Sequence, residues 1–204
     1  LSESYLAKII EMDKTNMVVL MSVYKNDNPE HLKLSVESIL NQTYQEFLLL
    51  IGVDGVVSDG LSEVLHGYED DARVRVFWFK ENRGLTAVLN NLLEEGKKMQ
   101  PAYIARMDAD DISKTDRFEK QVKYLEAHHE LEVIGGAIEE MEFDGMLNGK
   151  VIRYPLTHDE CFRFFATRNP LAHPAVMFRA SFFNKVPSYN ASYKKNQDTE
   201  LWYR

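Results

Sequence analysis

The chain has 204 residues and a formal net charge of −8, with 45% hydrophobic and 27% charged residues. That suffices for one sizeable core, in the composition range of ordinary globular domains. The acidic balance argues against a nucleic-acid binder or an anionic-membrane surface, both of which need a basic patch. The lone cysteine, Cys161, excludes an internal disulfide framework, suggests no zinc cluster, and fits a reducing compartment. No apolar run approaches the length of a membrane span, and no signal-peptide pattern opens the chain.

In chain order, "LSESYLAKIIEM" reads as a short amphipathic helix, an N-terminal extension over residues 1–16. "MVVLMSV" (17–23) is continuously apolar and β-branched, the mark of a strand buried on both faces. Asn28 and Pro29 make an N-cap and N1 pair, and Leu32, Val36, Ile39 and Leu40 form a helical stripe to about Gln42. "FLLLIGV" (47–53) predicts a second buried strand ending at Asp54-Gly55, residues 58–68 a short helix, and "RVRVFWF" (73–79) a third strand. Gly84 opens a helix with Leu85, Val88, Leu89, Leu92 and Leu93 on one face. "AYIARM" (102–107) predicts a fourth strand, followed by "DADD" and a helix carrying Phe118, Val122 and Leu125. "EVIGGAIEEMEF" (132–143), bent at its Gly-Gly, and "KVIRY" (150–154) read as further strands. "CFRFFATR" (161–168) reads as an amphipathic helix burying Phe162 and Phe165, and Trp202 as a core residue.

Four strand–helix alternations with short turns predict an α/β sandwich, a mostly parallel sheet with helices on both faces. Ligands bind such sheets beyond the carboxyl ends of the strands. Here those ends hold Tyr24 to Asp27, Asp54-Gly55, Asn82 to Gly84, and Asp108 to Asp111, and three of the four contain aspartate.

Neither G-x-G-x-x-G nor G-x-x-x-x-G-K-S/T is present, so a bound phosphate would not sit in a glycine cradle. A divalent cation is the remaining way to hold a diphosphate among aspartates, and hard carboxylate oxygens favour Mg2+ or Mn2+ over zinc. "DADDISKTDRFE" fails as a calcium loop: Ile112 takes position 5, Ser113 stands where glycine is needed, and a strand precedes it. An isolated D-x-D is more often a solvated turn or a helix cap; at the end of a buried strand, Asp108 and Asp110 point to one side as a site would require. Asp116 reads as a first-turn or capping acid. Arg106 and Arg117 read as structural ion-pair partners of these carboxylates.

The ordered series "VVLMSVYKND", "SVESILNQTY", "GVDG", "ENRGLTAVLNN", "RMDADDISKTDRFEKQVKYL", "RNPLAHPAVMFR" and "QDTELWYR" resembles the motifs of inverting glycosyltransferases of family 2, with the flavour of bacterial capsular and exopolysaccharide enzymes. The resemblance covers residues 17–204 and implies one GT-A catalytic domain, Rossmann-like, truncated at its C-terminus. By analogy, Asp54 would bind the donor base, usually uracil, with Ser22 and Tyr24 along base and ribose. Val53 stands where the family often has a second acid. Asn82, Gly84 and Asn90 match a motif whose helix N-terminus faces the nucleotide; the other reading of Asn82-Arg83-Gly84 is a plain turn. Asp110 would be the metal ligand, Asp108 a ribose or metal-water contact, and Asp111 a loop stabiliser. Asp198 falls on the general base, with Gln197 where glutamate is usual. His173 reads either as a packing residue or as lining the donor or acceptor site.

The resemblance further implies a UDP-sugar donor, a glycan or lipid-linked acceptor, Mn2+ or Mg2+, no nucleic acid, and a cytoplasmic location. The chain opens on Leu1 and closes on "LWYR", so a fragment is expected, with any peripheral membrane contact in the missing C-terminal region. The rival classes are a sugar-phosphate nucleotidyltransferase, whose G-x-G-T loop is absent, and a non-catalytic sugar-nucleotide-binding module.

Overall fold

The computed structural model describes residues 15–142, 145–193 and 195–204, and the helix expected in "LSESYLAKIIEM" lies outside them. Strands β1 (Met17–Tyr24), β2 (Phe47–Asp54), β3 (Val74–Phe79) and β4 (Tyr103–Asp108) alternate with helices α1 (Pro29–Leu40), α2 (Asp59–His66), α3 (Leu85–Lys98) and α4 (Arg117–Ala127). Two short strands, β5 (Val133–Ile134) and β8 (Met177–Arg179), complete a six-stranded sheet of order β3-β2-β1-β4-β8-β5. The first four strands are parallel, and β8 runs antiparallel to both its neighbours. The expected α/β sandwich is present, with one antiparallel strand that three residues of sequence do not announce.

Strand alternation divides β1 between two cores. Met17, Val19, Met21 and Val23 pack with Leu32, Val36 and Ile39 of α1 and with Phe118, Val122 and Leu125 of α4. Val18 and Leu20 pack on the opposite face with Val88, Leu89, Leu92 and Leu93 of α3, and with Phe178, Tyr189 and Leu201. Each such fully buried side chain contributes about 1.5–3 kcal/mol relative to exposure, so the strand ends are held on a rigid base.

The caps follow the sequence for α1, where Asn28 Oδ1 accepts from Glu30 N at 2.8 Å and His31 N at 3.3 Å. Ser58 Oγ accepts from Leu61 N at 3.3 Å to start α2. Asp116 sits at the N-cap position of α4 without a capping bond; its carboxylate instead pairs with Lys120 Nζ at 2.5 Å.

Three expectations need correction. Residues 132–143 are not one bent strand. After β5 the chain leaves the main sheet at Gly135-Gly136 and enters β6 (Ile138–Met141), which pairs with β7 (Leu147–Ile152) in a separate hairpin. β7 in turn begins earlier than the expected 150–154. The helix expected at 161–168 is α5 (His158–Phe164), started by a capping box between Thr157 and Glu160. That register turns Phe162 outward, 63% exposed, while Phe165, past the helix end, is half-buried and stacks edge-on to Tyr203. The chain ends with α6 (Phe182–Lys185) and α7 (Gln197–Tyr203), and Trp202 of α7 lies half-buried against the Phe178 ring, 5.6 Å between centroids.

Candidate active site

A cavity of ≈ 340 Å³ opens at the carboxyl edge of the sheet, lined by Ser22, Tyr24, Asp27, Asp54, Asn82, Gly84, Leu85, Asp108, Ala109 and Asp110. Ser22 and Asp108 are register partners on β1 and β4, and Tyr24 and Asp54 are partners on β1 and β2, so the sheet itself sets their spacing. Seven of the residues singled out in the sequence thus share one cavity; Asn90, His173 and Asp198 do not line it.

The acidic loop is held by α1. Ser35 Oγ donates to the Asp108 carbonyl at 2.7 Å, and Ser113 N donates to Ser38 Oγ at 3.0 Å. Gln42 Nε2 donates to Ser113 Oγ at 3.2 Å and to the Lys114 carbonyl at 2.8 Å, while its Oε1 accepts from Phe118 N at 3.0 Å. Ser35, Ser38 and Gln42 did not stand out as functional in the sequence; their signal is a polar residue every three or four positions along α1 and the turn that follows it.

Asp54 is 3% exposed, and its carboxylate accepts from Arg83 N at 2.6 Å and Gly84 N at 2.9 Å. It therefore clasps β2 to the N-terminus of α3, where no side-chain cap exists and the helix dipole favours an anion. Gly55 makes the clasp possible. At φ +84°, a side chain there would meet Asn82 N at 2.8 Å, so only glycine lets the two loops approach. A carboxylate has about four acceptor positions, so the clasp leaves Asp54 capacity toward the cavity.

Asp108 is ion-paired to Arg106 Nη2. Arg106 is 1% exposed, donates through Nη1 to the Leu20 carbonyl at 3.3 Å, and keeps Nε without a partner among the described residues. Arg117 makes no ion pair with these aspartates; it donates to the Arg106 and Val176 carbonyls at 2.9 and 3.2 Å. Burial lowers its pKa to about 10. Asp111, expected to hold the loop, makes no hydrogen bond among the described residues. Burial pushes its carboxyl up to about 6, and the charges of Asp108 and Asp110 act in the same direction. Asp27, which the sequence placed at a strand end without a role, accepts from Tyr24 N at 2.7 Å. Burial raises its carboxyl too, with Asp110 and Asp108 adding to the effect.

Mutual repulsion makes the cavity a place where a cation relieves cost. Among the described residues no group of three or more His, Cys, Asp or Glu forms a metal cage. The exposed Asp110 and the half-buried Asp108 offer carboxylate oxygens, the donors that a hard cation prefers. Mg2+-type ions keep several waters and bind through one or two carboxylates plus substrate phosphates, and these residues fit that pattern.

Of the remaining three candidates, Asn90 and His173 are joined through Tyr189. Asn90 spends its whole amide on the backbone of Tyr189, donating to its carbonyl at 2.9 Å and accepting from its N–H at 2.9 Å. Tyr189 is 2% exposed, and its hydroxyl hydrogen-bonds His173 Nε2 at 2.9 Å. Burial raises this phenol; the charges of Asp198 and Asp108 push the same way and Arg106 opposes. His173 also meets Trp202 of α7 edge-on, 6.0 Å between centroids, so the helix that carries Asp198 packs against the same network. Burial, with help from the Arg106 charge, holds His173 well below its ordinary range, as a neutral imidazole. Asp198, in the first turn of α7, accepts from Asn169 Nδ2 at 2.7 Å.

The profile described as "Glycosyl transferase family 2" matches residues 18–185. The chain belongs to glycosyl transferase family 2. Its relatives include the amylovoran biosynthesis glycosyltransferase AmsE of Erwinia amylovora, 33% identical over 91% of this chain and 68% of its own length. The UDP-Gal:alpha-D-GlcNAc-diphosphoundecaprenol beta-1,3-galactosyltransferase of Escherichia coli is 28% identical over 93% of this chain and 67% of its own. Among solved structures, the mannosyltransferase PcManGT from Pyrobaculum calidifontis, in complex with GDP-Man and Mn2+, superposes with a TM-score of 0.64 at 12% identity, over 92% of this chain and 52% of its own. The family 2 chain described here thus spans about two thirds of those relatives and half of that structure. Its fold is GT-A and its enzyme class glycosyltransferase. No helix among the described residues is long and apolar enough to cross a membrane.

Proposed function

We propose that this domain transfers a sugar, with inversion, from a UDP-sugar to a hydroxyl of a glycan or lipid-linked acceptor in surface-polysaccharide synthesis. The observation that carries the reading is the convergence of Asp54, Asp108 and Asp110 on one cavity at the carboxyl edge of a family 2 sheet. A relative named for a UDP-Gal donor and a diphosphoundecaprenol acceptor supports the substrate classes. A lipid-linked acceptor in turn implies work at the inner face of the cytoplasmic membrane.

In this reading Asp54, Ser22 and Tyr24 seat base and ribose, Asp108 takes a ribose hydroxyl, and Asn82 and Gly84 border the nucleotide. A bound Mn2+ or Mg2+ supplies positive charge against the leaving diphosphate; Asp110, with Asp108 alongside, would hold it. Asp198 accepts the proton of the acceptor hydroxyl. The acceptor oxygen bonds to the anomeric carbon as the bond to the diphosphate oxygen breaks, and the electron pair leaves with the nucleoside diphosphate.

A thermal-shift titration with UDP, with and without Mn2+, tests the donor half. Stabilisation by UDP that requires Mn2+ and disappears in Asp110→Ala is expected. Indifference to every nucleoside diphosphate would overturn the reading in favour of a module that binds no donor.

A further inference from the structure

We propose that Asn169 is a positioning residue for Asp198: its amide fixes the plane of that carboxylate and leaves one oxygen free to take the acceptor's proton. The inference rests on Asp198 acting as the base.

Asn169 lies past α5, at a distance of 29 residues from Asp198 in the chain, yet its Nδ2 donates to Asp198 Oδ2 at 2.7 Å. Its own orientation is fixed on the other side. Asn169 Oδ1 accepts from Leu171 N at 3.4 Å, and the buried Pro170 restricts the backbone of the residue before it. The edge-on contact of Phe165 with Tyr203, 6.3 Å between centroids, ties the same segment to the far end of α7. Two anchored elements thus meet at one hydrogen bond.

The bond has chemical content. The last torsion of an aspartate is soft and roughly two-fold, so Asp198 alone would sweep its lone pairs across the site. With Oδ2 occupied, Oδ1, which has no hydrogen-bond partner among the described residues, presents its lone pairs in a set direction. A neutral amide suits this task. Lysine or arginine would pair with the carboxylate as a full charge and weaken its hold on a proton. A carboxylate at 169 would compete for that proton.

The test is a double-mutant cycle on the full-length protein, read as nucleoside diphosphate released from UDP-galactose, UDP-glucose and UDP-N-acetylglucosamine. Asn169→Ala should lower kcat by about 10–100-fold, the loss seen when a hydrogen-bond partner that orients a metal-ligating side chain is removed, with KM for the donor unchanged. In the Asp198→Asn background the same change should have no further effect. The exchanged variant, Asn169→Asp with Asp198→Asn, rebuilds the amide–carboxylate bond and should melt near the wild type without recovering turnover, which separates orientation of the base from support of the fold. Normal turnover in Asp198→Asn would remove the base reading and this inference together. A silent Asn169→Ala beside an inactive Asp198→Asn would overturn the inference alone, as would losses that multiply.

Discussion

Arg106 and Asp108, two residues apart on one side of β4, form an ion pair whose cation is buried in the sheet and whose anion lines the cavity. The two partners stand to lose unequally. The Asp108 side chain is 35% exposed and can recover water if its partner goes; the Arg106 side chain, 1% exposed, cannot. Leaving a buried charge uncompensated costs about 3–5 kcal/mol.

Asp108→Asn should therefore destabilise more than Arg106→Met, and the double variant should be at least as stable as Asp108→Asn alone. Urea unfolding at pH 7 measures all three. Equal losses in the two single variants would show that the pair is not buried as described.

Gly55→Ala places a methyl group 2.8 Å from Asn82 N on a backbone at φ +84°. Strain of this kind costs on the order of 1–3 kcal/mol. The displaced loop should also stretch the bonds from Arg83 and Gly84 to Asp54. A lower melting temperature together with a smaller UDP-induced shift is expected, and a normal shift would mean that the clasp does not shape the nucleotide site.

His173 sets an acid limit to stability. Its folded pKa lies well below the ordinary 6.5, so below about pH 6.5 the unfolded chain takes up a proton that the folded chain refuses. Stability is lost as pH falls through that value, at about 1.4 kcal/mol per pH unit for one proton. His173→Gln should flatten the pH dependence between pH 6.5 and 5, measured by denaturant midpoints. An unchanged slope would place the titration elsewhere.

The four βα units were legible because uniformly apolar strands and inward stripes such as Leu32, Val36 and Ile39 are local patterns. Asp54, Asp108 and Asp110 were legible because a strand end fixes where a residue lies in a parallel sheet. The hydrogen bonds that brace the surrounding loops were not. Gln42 to Ser113, Asn90 to Tyr189 and Asn169 to Asp198 join residues 71, 99 and 29 positions apart, and no spacing rule connects them. β8 escaped for a different reason: Met177–Arg179 is too short to show a period, yet it joins the edge strand β5 to β4. The family resemblance singles out Asp198; only the fold shows the amide that faces it.

Asp111 gives a pH dependence of opposite sign to that of His173. Its folded carboxyl is raised from 3.8 to about 6, so the folded state prefers it protonated. The stability this contributes is complete below about pH 4 and is lost as pH rises through 6. At pH 7 the folded chain carries an ionised Asp111 beside Asp108 and Asp110, with burial opposing the charge. Asp111→Asn removes that cost while keeping the shape, so it should raise the melting temperature at pH 7 and leave it unchanged near pH 4. Mn2+ with UDP should narrow the gap at pH 7, because a cation at Asp110 offsets the same repulsion from the other side. Melting curves of wild type and Asp111→Asn at the two pH values, with and without Mn2+–UDP, read all of this directly. A variant no more stable than wild type at pH 7 would show that the aspartate cluster is already relieved by solvent.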